Sequence, residues 1–317
     1  MIEREAIEAV VQRVLPGPVS RIEAATGGSS TLVYRIVSGH ETYYLRFLPD
    51  PDDTFAAEYA IHTRLRQLDV RVPDIIYYAP FDETVQCSFL ITGEIKGQPV
   101  MQSAFLDEAT LKAIAREAGQ DLARINSVPV RKHGRLRELK SADDLFLTEA
   151  ALSPRSEQHP NWQNMLSICH GVLSSQELDR LERALQMHDT GDEQWYLMHG
   201  DFSIRHIYQE NGRYTGIIDL TDAQGASRWE DIGYFHLRDR LREAKVFPLR
   251  LETELLEGYQ EVMPLSADYR WQVCFASLRL ALLMLADQLQ CKGMDAFAHA
   301  LVRVIREDVE AVLWVSL

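Results

Sequence analysis

The chain has 317 residues, 46% of them apolar and 25% charged, which suits a folded globular protein and excludes global disorder. Its formal net charge is −14, a surface that repels nucleic acid and anionic membrane and would attract cationic small molecules. Four widely spaced cysteines (Cys87, Cys169, Cys274 and Cys291) form no Cys-x-x-Cys pair, so neither a zinc site nor a disulfide framework is expected, and reduced core thiols fit a cytoplasmic protein.

In chain order, Glu5 to Leu15 reads as an amphipathic helix stopped by Pro16 and Gly17; it lacks the continuous apolar core of a signal peptide. VYRIV (Val33 to Val37) and TYYLRF (Thr42 to Phe47) read as strands joined at Ser38-Gly39. Residues 54 to 68 fit a helix capped by Asp52, Asp53 or Thr54. Strands resume at Asp74 to Tyr78 and Ser88 to Thr92, and Gly93 to Gly97 is a connector. From Asp107 the pattern is helical, with Leu111, Ile114, Ala118, Leu122 and Ile125 on one stripe. Residues 127 to 160 read as a variable loop or helical insertion, and a helix returns at Gln176 to Met187. After a β segment, three helices close the chain: Glu252 to Val262, Tyr269 to Gln290 and Ala296 to Val312. No run approaches a membrane span in length; LALLMLA (Leu280 to Ala286) reads as buried helix.

The segment from Tyr196 to Phe235 carries the chemistry. Asp201 sits in a turn after an apolar strand, His206 follows five residues later, and Asp219 ends the next apolar run. Phosphoryl transfer needs one carboxylate at the attacking hydroxyl and two ligands holding Mg²⁺ on the nucleotide phosphates. A carboxylate at Asp201, beside the permissive Gly200, can accept a hydroxyl proton. Asn211-Gly212 signals a tight hairpin. In that register Glu210 opposes Arg213 and His206 opposes Ile217, which makes Asp219 the diagonal neighbour of His206 at roughly 7–8 Å between Cβ atoms. Two side chains reaching inward from there converge on one ion; a bulge would shift the register.

His199-Gly200-Asp201, Ile218-Asp219 and the trailing Arg228-Trp229-Glu230-Asp231-Ile232 resemble the core of the aminoglycoside phosphotransferase family, which has a protein-kinase-like fold. The resemblance implies that Asp201 is the catalytic base, that Asp219 is an Mg²⁺ ligand and that the later Asp braces the catalytic loop. His206 stands where the broad family has Asn. The phrases HGDFSIRHI and GIIDLTDA are close to those of aminoglycoside 2''-phosphotransferases and macrolide phosphotransferases, which share His at this step. On that likeness His206 is a subfamily mark and the second metal ligand.

The small-lobe side follows the same comparison. Gly27, Gly28, Ser29, Ser30 and Thr31 form a loop whose backbone amides can turn toward phosphate. Glu58 shares a helix face with Ile61, Leu65 and Leu68, where a carboxylate needs a partner, and Arg46 is the available cation. This resembles the kinase pair in which a strand cation grips the phosphates. FLITGEIKGQPV resembles the family's hinge strand, so Thr92 borders the base pocket and the backbone of Gly93, Glu94 and Ile95 would bond the base.

The expected architecture is α+β, two-lobed and protein-kinase-like: a β-rich nucleotide-binding lobe (1–92), a hinge (93–97) and a helical lobe with the catalytic loop and substrate site (98–317). The expected activity is ATP- or GTP-dependent transfer of the γ-phosphoryl group to a small-molecule hydroxyl, with Mg²⁺ as cofactor. An aminoglycoside or macrolide is the leading acceptor, with Asp222, Glu230, Asp239 and Glu243 as candidate contacts to a cationic substrate. An endogenous alcohol such as choline, a sugar or an amino alcohol is the alternative acceptor. A nucleotide-binding pseudokinase is the alternative function, and a monomer or homodimer is the expected assembly.

Overall fold

The computed structural model describes residues 2–25, 31–48, 50, 53–136, 139, 145–146, 162–187, 194–243 and 246–314. Helix α1 (Arg4–Val14) leads into an antiparallel sheet of β1 (Val19–Ala24), β2 (Leu32–Ser38), β3 (Glu41–Phe47), β4 (Ile75–Asp82) and β5 (Cys87–Gly93), in the order β1-β2-β3-β5-β4. The α1 face of Ile7, Val10 and Val11 packs on Ile36, Leu45, Phe47, Phe89 and Ile91, giving this lobe its own core. Helix α2 (Ala56–Gln67) sits between β3 and β4. Its N-cap position is Phe55, which makes no capping bond; Thr54 Oγ1 instead accepts from the Ala56 amide at 3.3 Å. Of the expected caps, Thr54 reaches the helix and Asp53 does not, and Asp52 lies outside the described residues.

Beyond β5 the chain forms β6 (Gln98–Pro99), a 3₁₀ turn (Val100–Gln102) and α3 (Glu108–Ile125), capped by Asp107, which accepts from the Thr110 amide at 2.8 Å. The apolar stripe of α3 is wholly buried. Of the insertion expected at 127 to 160, only β7 (Pro129–Val130), β8 (Gly134–Arg135) and isolated residues are described. Next come α4 (Trp162–Ile168) and α5 (Ser175–Gln186), the latter closed by a Ser174/Glu177 capping box. Strand β9 (Trp195–Met198) lies in the sheet β7-β9-β12-β8, whose remaining member is β12 (Gln224–Ala226). Between β9 and β12, β10 (Ile207–Glu210) and β11 (Arg213–Ile217) form a hairpin that also pairs with β6.

Four helices follow: α6 (Trp229–Leu241), α7 (Glu252–Val262), α8 (Tyr269–Cys291) and α9 (Ala296–Trp314). Helix α7 packs on α3, and α8 packs on α6 and α9. At 23 residues α8 is long and apolar enough to cross a membrane, contrary to the short run read from sequence, but 61% of its most apolar stretch is buried against neighbouring helices. Cys87 and Cys169 are buried as expected; Cys291 is exposed, at the end of α8. The result is a small antiparallel β lobe joined to a larger, mainly helical lobe.

Candidate active site

The candidate catalytic loop leaves β9 at His199. Gly200 has a φ of +88°, and a Cβ there would overlap the Asp222 carbonyl oxygen, so the turn requires glycine. Asp231, buried at the start of α6, holds the loop from below. One of its oxygens accepts from the Gly200 amide at 2.9 Å; the other accepts from the His199 amide at 2.8 Å and Asn126 Nδ2 at 2.9 Å. His199 donates through Nε2 to the Ile218 carbonyl (2.9 Å), and its Nδ1 accepts from the Asp201 amide (3.3 Å). Burial pushes its pKa down, which keeps the ring neutral and suits that single-donor pattern.

Asp201 is thereby presented to the cleft. Its Oδ1 has no hydrogen-bond partner among the described residues, and its Oδ2 lies 3.8 Å from Arg205. Such a carboxylate is free to receive a proton. Tyr234 on α6 lies beside it. Burial pushes that phenol well above its ordinary range, Arg238 pulls it back, and the Asp201 carboxylate adds to the rise.

The hairpin departs from the expected register. A bulge at Thr215 leaves Ile207 opposite Ile217, and the Ile218 amide donates to the His206 carbonyl at 3.0 Å. His206 therefore opposes Ile218, not Ile217. The bulge alone would turn Asp219 away, but Asp219 has a left-handed φ of +69°, which swings its carboxylate back. His206 Nε2 and Asp219 Oδ2 finish 3.8 Å apart. His206 Nδ1 donates to the Asp201 carbonyl at 2.8 Å, so in the neutral ring Nε2 carries a free lone pair toward Asp219.

Across the cleft, Arg46 on β3 pairs with Glu58 on α2, and both side chains are largely buried. Burial alone would raise the Glu58 pKa, but the Arg46 charge and His62 outweigh it and hold the carboxyl at about 2. The second arm of Arg46 donates to Thr221 Oγ1 at 2.9 Å, two residues beyond Asp219. One cleft of about 610 Å³ brings together Thr31, Arg46, Glu58, Thr92, Gly93, Ile95, Asp201, His206 and Asp219. Gly27, Gly28, Ser29 and Ser30 lie outside the described residues. Glu94 does not line the cleft; its carboxylate points to Arg35 (3.9 Å) and Lys96 (3.4 Å). The Gly93 amide is taken by the Asp74 carbonyl at 2.9 Å, whereas the Ile95 amide has no acceptor among the described residues.

The expected acidic contacts are mostly committed elsewhere. Glu230 pairs with Arg279 at 3.0 Å, Asp239 is buried against Arg242, and Asp222 lies 4.0 Å from Arg135 on the wall of the cleft. Glu243 is exposed. Sequence reading did not single out Thr221, His62 or Asn126. Thr221 stands in the quoted GIIDLTDA phrase, yet its partner, Arg46, is 175 residues away in sequence.

No curated protein matches the chain. Among solved structures, a protein from Ralstonia eutropha JMP134 provisionally described as an aminoglycoside phosphotransferase superposes with a TM-score of 0.67 at 16% identity, covering 98% of this chain and 97% of that one. A thermostable mutant of aminoglycoside phosphotransferase APH(4)-Ia, in a ternary complex with ADP and hygromycin B, superposes with a TM-score of 0.60 at 16% identity, covering 96% of this chain and 97% of that one. Macrolide 2'-phosphotransferase MphH from Brachybacterium faecium gives 0.57 at 16% identity, covering 95% and 98%. These likenesses establish the two-lobed, protein-kinase-like fold. A sequence profile of the phosphotransferase enzyme family (APH) matches residues 21–265, a span that includes Arg46, Glu58, Asp201, His206 and Asp219, and the chain belongs to that family.

Proposed function

We propose that the protein transfers the γ-phosphoryl group of ATP or GTP to a hydroxyl group of a small molecule. The observation that carries this reading is the convergence on one cleft of Asp201, His206 and Asp219 from the large lobe with Arg46 and Glu58 from the small one. Asp201 accepts the hydroxyl proton as the acceptor oxygen bonds to the γ-phosphorus. The bond from that phosphorus to the bridging oxygen breaks, and the nucleoside diphosphate leaves. Arg46, fixed by Glu58, holds phosphate oxygens with a planar fork. The free Ile95 amide is the hinge donor for the base.

Asp219 and His206 are the candidate metal ligands. Mg²⁺ binds through one or two carboxylates plus substrate phosphates. A cleft-facing carboxylate beside an imidazole nitrogen with a free lone pair fits that requirement. When bound there, the ion supplies charge neutralisation to the phosphates. The four free cysteines fit a reducing compartment such as the cytoplasm.

The likeness of HGDFSIRHI to aminoglycoside and macrolide phosphotransferases concerns the loop that serves the transfer step whatever the acceptor. It supports the reaction more directly than it supports an antibiotic acceptor. The test is a transfer assay with ATP and GTP against aminoglycosides, macrolides and metabolite alcohols, run on the wild-type protein and Asp201→Asn. Product formation should fall roughly 10²–10⁴-fold in the variant with nucleotide binding unchanged. Full turnover by Asp201→Asn would overturn the reading.

A further inference from the structure

Beside the catalytic loop, on the large-lobe side, lies a second pocket of about 190 Å³. Ser203, Ile204 and Arg205 of the loop form one wall; the end of α6, Met101 and Phe297 form the others. Arg205 walls both this pocket and the nucleotide cleft and lies 3.8 Å from Asp201, so this one side chain links the pocket to the candidate catalytic carboxylate.

Its chemistry is unlike that of a polycation site. The exposed lining is mainly apolar. Asp239 is consumed internally by Arg242, and Arg242 also donates to the Leu249 carbonyl. Arg238 is half-buried, and among the described residues the sole contact of its guanidinium is with the Tyr234 ring, 5.9 Å from centroid to guanidinium. A cation held in an apolar wall without a counter-ion favours an anionic ligand. Ser203, itself 4% exposed, carries a hydroxyl with no partner among the described residues. The exposed Glu243 is the remaining carboxylate of the wall. Size narrows the class further: a cavity of about 150 Å³ holds benzene, so the recess itself holds one small ring or branched chain.

Building on the phosphotransferase reading, we propose that this pocket is the acceptor subsite and that it takes a small alcohol whose apolar body carries a carboxylate or phosphate, held by Arg238. The hydroxyl of such a ligand, at the pocket's mouth, faces Asp201.

A matched set of probes tests this: 4-(hydroxymethyl)benzoate, 4-(hydroxymethyl)phenyl phosphate, the neutral 4-(hydroxymethyl)benzamide and the cationic 4-(aminomethyl)benzyl alcohol. Binding is measured by calorimetry with saturating ADP present, which removes competition at the nucleotide cleft. Both anionic probes should bind at least about tenfold more tightly than the amide, and the ammonium probe most weakly. The two anions distinguish a carboxylate-selective from a phosphate-selective pocket. Arg238→Gln should erase the anion preference and Arg238→Lys should keep it. Equal or tighter binding of the ammonium probe or of an aminoglycoside would overturn the inference, as would an anion preference that survives in Arg238→Gln. ADP release from ATP with each probe is scored separately. An intact anion preference with no transfer to any alcohol would count against the phosphotransferase reading and leave the subsite standing.

Discussion

At the scale of single residues, His206 is the most informative position. An imidazole in a site for a hard cation should change which ions the site prefers. Nitrogen donors favour the later first-row divalent ions, in the order that runs from Mn²⁺ upward. His206→Asn replaces the nitrogen with an amide oxygen on a shorter side chain, whose oxygen reaches only about as far as Nδ1. The expected result is a lower ratio of Mn²⁺- to Mg²⁺-supported turnover, by about threefold or more, measured as ADP release across a metal titration. His206→Ala should lose turnover with both metals, and chelation should abolish wild-type turnover. An unchanged ratio in His206→Asn would remove His206 from the ligand set. Glu58 supports a second prediction at this scale. Its carboxyl is held at about 2 against an ordinary value of 4.5, so its charged form is favoured in the folded state. The resulting stabilisation is present above about pH 4.5 and is lost as pH falls toward 2. It amounts to on the order of 3 kcal/mol. Glu58→Gln should flatten this part of the pH–stability curve and lower stability at neutral pH, because Arg46 is left without its buried partner. Urea unfolding between pH 7 and pH 3 reads both effects.

Among the elements, the contact between α3 and α7 reaches the site through Asn126 and Asp231. Gly119 on α3 faces the Leu255 carbonyl of α7, and Gly258 on α7 faces the Arg116 carbonyl of α3. A Cβ at either position would overlap backbone. Gly119→Ala should therefore push the helices apart and cost about 1–3 kcal/mol in chemical unfolding. The cost should reach catalysis too, since Asn126 at the end of α3 holds Asp231, which holds the catalytic loop. The apolar stripe of α3 was legible in the sequence, because period and burial agree there. The glycine crossing was not, because Gly119 gains its meaning from α7, well over a hundred residues downstream. The hairpin shows the same division. Asn211-Gly212 announced its turn, but tertiary bonds hold the bulge at Thr215: Thr215 Oγ1 donates to the Lys96 carbonyl and the Ile217 amide to the Arg71 carbonyl, each at 2.8 Å. Local sequence carries no record of either acceptor. The convergence of His206 and Asp219 was foreseen through a register that does not form, and it arises instead from the left-handed backbone at Asp219.

For the whole molecule, the question is what relates the two lobes. The hinge is not their sole link. Ile61 and Leu65 of α2, with Val70 and Val72 after it, belong to the same buried cluster as α3 and the hairpin. Arg71 reaches Asp121 at 3.0 Å, a carboxylate of α3 with no exposed surface. The cleft is therefore framed by a packed base, and the Arg46–Thr221 bond bridges the opening beside Asp219. That bond joins β3 to the segment after Asp219 and so fixes Arg46 relative to the candidate metal ligands. A guanidinium has five donors; with one arm on Glu58 and one on Thr221, others remain for phosphate oxygens. If Thr221 positions Arg46, Thr221→Val should raise the KM for nucleotide about tenfold, the lower end of a charged hydrogen bond's worth of roughly 1.5–3 kcal/mol, with kcat little changed. Thr221→Ser should restore it. The opposite outcome, a lower KM in Thr221→Val, would mean that Thr221 competes with phosphate for Arg46 and that the bond must break on nucleotide entry. Steady-state kinetics with ATP, paired with hydrogen exchange of β3 and the 218–222 segment, separates the two: a positioning bond protects both segments together and its loss loosens both.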